Sequence, residues 1–281
     1  MVAAARCALP APLRIERCVK YDAQRYPFAR LVAEALQAEV PLHLLHTTSE
    51  CREWLAGVLS NDARAYAMRR NAIDKRFKQA NGFRAGGLLT ECYLRFLREV
   101  VVPLVQSVMS DDGIEVGGSE SDGGSGGGSK GDGGGSGGSS TDGTSLLYQR
   151  EPNFRCHLPG TGHLLVHKHR DSDYYHQPNE LNVWIPLTDC FGSNTLWAES
   201  APDRGDFHPY ELKVGEMMLF WGSQCLHYTV PNDTDATRVS IDFRVIPSRA
   251  LYRDKYPRSH TRDGRMRFGE GAYYASLEAP S

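Results

Sequence analysis

Hydrophobic positions follow two regimes along this chain, one before and one after a long glycine- and serine-rich stretch. In the first, Leu88, Leu89, Cys92, Tyr93, Phe96, Leu97, Val100, Val101, Leu104, Val105 and Val108 recur three and four residues apart. That is the stripe of an amphipathic helix, wide enough to need a large partner surface. Pro103 falls inside the stripe. Having no amide N–H, it must kink the helix or split it. Thr47 and Glu50 have capping-box spacing ahead of Trp54, Leu55, Val58 and Leu59, which predicts another helix start. The charged run from Asn71 to Gly82 reads as a solvated helix with a glycine stop.

In the second regime the period drops to two. Within Thr237–Ile246, Val239, Ile241, Phe243 and Val245 share one face, and Arg238, Ser240, Asp242 and Arg244 share the other. Leu181–Leu187 alternates in the same way, and His163, Leu165, His167, His169 and Asp171 fall on one face of a further strand-like run. FRCHLP reads as a first strand with Arg155 and His157 on one side, and Glu216–Trp221 is an apolar run between Gly215 and Gly222. Short strands separated by Gly, Pro, Asn and Asp predict a jelly roll or barrel, its outside covered by the N-terminal helices. The expected class is α+β. Its parts are a helical region 1–110, a flexible insertion 111–145, a catalytic jelly roll 146–247 and a tail 248–281 wrapping the domain. The insertion is flexible coil because it has no apolar surface to offset ordering entropy.

Composition narrows the function only by exclusion. A net charge of −2 over 281 residues gives no general attraction to nucleic acid or anionic membrane. No apolar run is long enough for a membrane span. The seven cysteines show no CxxC spacing, which speaks against a disulfide framework or zinc knuckle. The basic-aromatic tail reads as packing on its own domain rather than as a nucleic-acid surface. A cytoplasmic location is expected. The start MVAAARCALPAPLR has no acid before Glu16 and leaves an organelle-targeting segment open.

The chemistry gathers on the polar faces. On an extended strand His169 and Asp171 point the same way, with Arg170 directed away. A third ligand, His227, follows another strand and a short loop. Two imidazoles and one carboxylate suit Fe(II) and leave one side of the metal open. Arg238 offers a permanently charged fork for a carboxylate, and Ser240 adds a hydroxyl. Against this, a polar strand face ordinarily faces water. If the roll closes, however, the polar faces meet in its lumen. Arg238 would then need either Asp242 or a bound carboxylate; the ligand is favoured here, and Asp242 is left with Arg244.

HRDSDYYHQPNELNVWIPLT, followed by GSNTLWAES, GDFHP, GEMMLFWG and CLHYTVPNDTDATRVSIDFR, resembles the Fe(II)/2-oxoglutarate-dependent dioxygenases. Within them it is most similar to the phytanoyl-CoA-dioxygenase-like group that includes streptomycin-biosynthesis-associated proteins. The likeness runs from about Leu146 to Pro247. It implies a double-stranded β-helix, with His169, Asp171 and His227 as iron ligands and with Arg238 and Ser240 on the distal carboxylate of 2-oxoglutarate. It implies O2 as co-reactant and hydroxylation of a small-molecule substrate. Halogenation is disfavoured because Asp171 keeps the carboxylate. Asn182 is expected to donate to the cosubstrate, Tyr174 and His176 to line the substrate mouth, and Arg155 to enter the lumen. Two rivals stay open: a cupin-type metal enzyme using His167, His169, Asp173 and His227, and a non-enzymatic binding domain. The prime substrate and the oligomeric state are not specified by the residues.

Overall fold

A computed structural model describes residues 9–60, 72–110, 145–162, 164–253 and 268–277. The expectations for the extreme N-terminus, for nearly all of the glycine/serine insertion, for His163 and for most of the tail lie outside these residues. Helices α1 (Phe28–Ala35), α2 (Ser49–Ser60), α3 (Ala72–Gln79), α4 (Leu88–Phe96) and α5 (Val102–Ser110) come almost entirely from the first half. The strands are β1 (Arg17–Lys20), β2 (Leu146–Gln149), β3 (Asn153–His157), β4 (Leu181–Pro186), β5 (Trp197–Ala198), β6 (His208–Pro209), β7 (Glu216–Phe220), β8 (His227–Tyr228), β9 (Arg238–Ile246) and β10 (Tyr274–Leu277). The result is a mixed α+β fold with two antiparallel sheets.

The larger sheet runs β1-β7-β4-β9-β2-β10, with β3 also paired to β9, and the smaller runs β6-β5-β8. Strand β9 is the spine, and its two faces follow the alternation expected from sequence. Val239, Ile241, Phe243 and Val245 are fully buried and share one core with Val183 and Ile185 of β4 and with Phe28, Val32, Tyr93, Phe96 and Val101. Tyr93 meets Phe243 edge-on with ring centroids 4.9 Å apart, and Phe77 stacks on Phe154 at 4.1 Å. This helix-facing surface excludes water from one side of the sheet, which leaves the other side to carry chemistry. Ladder register places Asn182 opposite Arg244, Trp184 opposite Asp242, Pro186 opposite Ser240, and Arg155 opposite Ser240 from the other neighbour. These residues therefore project from that second face. There Trp184, Met218 and Phe220 join Leu196, Ala198 and Tyr210 in a separate core between the sheets.

Two local expectations are revised. Around Pro103, where a kink or split was expected, the stripe is interrupted: α4 passes into a π turn over Leu97–Val101 before α5. Val102 N–H reaches back five residues to the Leu97 carbonyl, so the regular ladder is already shifted where Pro103 has no N–H to offer. The cap of α2 is one residue later than expected. Thr48 Oγ accepts the Cys51 amide, whereas Glu50 pairs with Arg76. Finally, the run before Asp171 is no continuous strand. His169 forms an isolated bridge to His227, and Asp171 opens a 3-10 turn over Asp171–Tyr174. The Thr229 hydroxyl takes the Leu165 and Val166 amides, so those groups never form a ladder.

Candidate metal centre

The two histidines are placed by their own backbones. His169 N–H donates to the His227 carbonyl at 3.2 Å, and His227 N–H returns to the His169 carbonyl at 2.9 Å. Two neighbouring bonds fix the acid: Asp171 N–H donates to the Gly222 carbonyl at 3.0 Å, and Ser172 N–H to that of Ser223 at 3.3 Å. Segments 58 residues apart in sequence are thereby laid side by side, and the metal-binding atoms of His169, Asp171 and His227 all lie within 4.8 Å of one another. His169 Nε2 is 3.4 Å and His227 Nε2 is 3.6 Å from the same oxygen, Asp171 Oδ1.

Ring orientation matches metal ligation. Nδ1 of His169 lies 2.6 Å from the His167 carbonyl, and Nδ1 of His227 lies 3.0 Å from the Cys225 carbonyl. A carbonyl only accepts, so each Nδ1 holds the proton and each Nε2 presents its lone pair toward Asp171. Carbonyl-bound imidazoles of this kind are pre-oriented ligands. Burial is the main influence on His227 and pushes its pKa down to about 4, despite the opposing pull of Asp171. Its ring is therefore neutral at pH 7.

Asp171 divides its two oxygens between tasks. Oδ2 accepts from Asn182 Nδ2 at 2.7 Å and from Arg244 Nε at 2.9 Å. Oδ1 is left facing the imidazoles. Burial alone would raise this carboxyl, but the Arg244 guanidinium outweighs it and holds Asp171 well below the usual carboxylate range. Arg244 in turn binds Asp242, which also accepts from Asn153 and Arg155. The site thus has four charges of alternating sign, Asp171, Arg244, Asp242 and Arg155, in one chain. Gly222 is needed here because a Cβ on it would lie 2.6 Å from the Asn182 side chain.

Arg238 stands apart from this chain of charges. It is fully buried, donating Nε to the Asn194 carbonyl at 3.1 Å and Nη1 to Ser240 Oγ at 2.7 Å. Nη2 has no hydrogen-bond partner, and among the described residues no carboxylate pairs with this guanidinium. A buried, uncompensated charge with one idle donor fits an anionic ligand arriving from outside the chain.

These contacts bear on the other expected positions. Asn182 donates through Nδ2 to Asp171 at 2.7 Å, while its Oδ1 is buried without a hydrogen-bond partner. Arg155 is anchored by Asp242 at 3.0 Å. His176 is buried against Phe268 and pairs with Glu180 at 2.7 Å, which places it in packing rather than at an open mouth. Tyr174 does sit at the centre, edge-on to His169 with ring centroids 5.0 Å apart. Sequence reading left Asp242 with Arg244, a pair found at 2.8 Å, but missed the Arg244 bond to Asp171 and the need for Gly222. The period-two pattern put Arg244 on the same face as Arg238 but could not bring Asp171 to it.

No family model matches this chain. Streptomycin biosynthesis protein StrG of Streptomyces griseus is 41% identical over 99 residues, a stretch covering 35% of this chain and 46% of that protein. Among solved structures, AviO1 from Streptomyces viridochromogenes overlays with a TM-score of 0.43 at 13% identity, covering 86% of this chain and 96% of that one. A non-haem monooxygenase, ThoJ without metal, overlays with a TM-score of 0.42 at 16% identity, covering 84% of this chain and 75% of that one.

Proposed function

We propose that the protein is a non-haem Fe(II) oxygenase that couples oxidative decarboxylation of 2-oxoglutarate to hydroxylation of a small molecule within a double-stranded β-helix. The observation that carries this reading is the pairing of two sites. One is a two-histidine, one-carboxylate cluster with its Nε2 lone pairs converging. The other is a buried arginine with an idle donor on the same sheet face. A facial set of this composition suits ferrous iron and leaves positions open for other ligands. When bound, iron supplies the activation of O2 that drives oxidation of the substrate.

The chain's own residues do the rest. His169, Asp171 and His227 hold the metal, and Asn182 and Arg244 keep Asp171 ionised with one oxygen turned toward it. Arg238 and Ser240 grip the distal carboxylate of 2-oxoglutarate, satisfying the donor that the protein leaves unpaired. The helix-packed core behind β9 keeps bulk water from that side of the sheet. Tyr174, beside His169, borders the space a substrate would enter. The partial likeness to a streptomycin biosynthesis protein supports a substrate from natural-product metabolism.

The cupin alternative needs His167 and Asp173 as ligands. His167 is exposed and lends only its carbonyl, and Asp173 accepts the Arg170 amide. Neither joins the cluster found among the described residues. The deciding experiment is anaerobic titration of the iron-loaded protein with 2-oxoglutarate, followed by succinate measurement on admitting O2. A visible charge-transfer band and succinate are expected. Neither band nor calorimetric binding would refute the reading. His169→Ala should lose stoichiometric iron; a variant that retains it shows that the ligand set is misassigned.

A further inference from the structure

Among the described residues, two fully buried carboxylates take no part in the proposed chemistry: Glu180, which pairs with His176, and Glu199, immediately after β5. Burying an ionised carboxylate is costly unless its oxygens are satisfied. In Glu199, Oε1 accepts the Leu226 amide at 2.8 Å and Oε2 accepts the Gly205 amide at 3.1 Å. Glu199 N–H also donates to the Leu226 carbonyl at 3.1 Å, and Leu226 is the residue before His227. This acid therefore holds the backbone that carries the third ligand.

Its cationic neighbour is Arg170, the residue between His169 and Asp171. Arg170 Nη2 lies 3.8 Å from Glu199 Oε1, and Nε donates to the Gln224 carbonyl at 2.7 Å. The same guanidinium pairs with Asp203, a residue held at φ +62° in the loop that Glu199 anchors through Gly205. Arg170 N–H is itself fixed by Asp173 at 2.8 Å. One side chain thus starts inside the first ligand pair and ends on the loop leading to the third ligand.

We infer that Arg170 and Glu199 form a latch behind the metal, acting as positioning residues that set the separation of the His169–Asp171 and Leu226–His227 segments. The backbone bridge between His169 and His227 fixes their pairing. Small rotations of the segments about it would move each Nε2 relative to Asp171. The latch opposes this because the guanidinium and the carboxylate both grip the backbone of residues 224–226. It touches neither metal nor substrate, and it rests on the metal site proposed above.

The test uses the full chain titrated anaerobically with Co(II), read by calorimetry and by the visible absorption of the bound ion. Loss of a residue that orients ligands typically weakens metal binding by about tenfold or more. Arg170→Met should do so and change the Co(II) band, while thermal unfolding of the metal-free protein stays close to wild type. Arg170→Lys, which keeps the charge but not the fork, should recover part of the affinity. Glu199→Gln, which keeps an acceptor for Leu226, should weaken binding less than Arg170→Met. An Arg170→Met protein with wild-type affinity and spectrum overturns the latch. So does one that loses thermal stability while its Co(II) affinity and band are unchanged. Wild-type protein that binds no Co(II) removes the metal site itself, an outcome distinct from either.

Discussion

Arg238→Met is the sharpest perturbation the structure offers, because it removes a charge without opening much space. The guanidinium is buried over Trp184, with its carbon 5.8 Å from the ring centroid, and among the described residues its hydrogen bonds go to Asn194 and Ser240. Methionine fills a similar apolar stem and adapts to irregular surroundings. The loss of two bonds is opposed by relief of an uncompensated buried cation, a change that is often close to neutral for the fold. Burial already lowers the Arg238 pKa, with Cys190 opposing, so desolvation weighs on this side chain in the free protein. The consequence for a bound carboxylate is much larger. In the proposed complex Nη2 and one further donor would each make a charge-assisted bond worth about 1.5 kcal/mol, so about 3 kcal/mol would be lost. That corresponds to a weakening of roughly a hundredfold in 2-oxoglutarate binding. Anaerobic calorimetry on metal-loaded protein measures it directly, with thermal unfolding and metal content as controls. Unchanged 2-oxoglutarate affinity in a folded, metal-replete Arg238→Met protein would refute the role given to this residue.

Two further outcomes follow from the same geometry. His227 has a pKa of about 4 in the fold against 6.5 when exposed, so the unfolded chain binds the extra proton first on acidification. Stability of the metal-free protein from this group is therefore complete above about pH 6.5 and falls as the pH drops toward 4, by on the order of 3 kcal/mol. His227→Gln should flatten that part of the stability profile measured by chemical denaturation; an unchanged slope counts against a buried neutral ring. Gly222→Ala should force the Asn182 amide away from Asp171, at a cost of about 1–3 kcal/mol of overpacking. It should also weaken Co(II) binding, as titration would show, and wild-type metal affinity would mean that the Asn182–Asp171 bond does not matter.

Sequence alone determined the strand faces, the helix stripe and the residue types of the candidate site, because these depend on local periodicity and residue chemistry. The alternation in Arg238–Ile246 separates Val239, Ile241, Phe243 and Val245 from the charged set whatever the partners of β9 turn out to be. The motif spacing singled out His169, Asp171, His227 and Arg238 for the same reason. The Asp242–Arg244 pair was already expected from the alternation, but only the tertiary structure brought Asp171 to Arg244. Arg244 and Arg238 occupy equivalent positions on one strand face, yet one neutralises Asp171 and Asp242 while the other remains without an acid among the described residues. That difference arises from the opposing segments: Asp171 is delivered by bonds to Gly222 and Ser223, whereas the segment that reaches Arg238 brings only the Asn194 carbonyl among the described residues. Strand His163–Asp171 failed as an expectation for a related reason. A side-chain hydroxyl from distant Thr229 captures the amides on which a ladder depends, and no local pattern encodes that competitor.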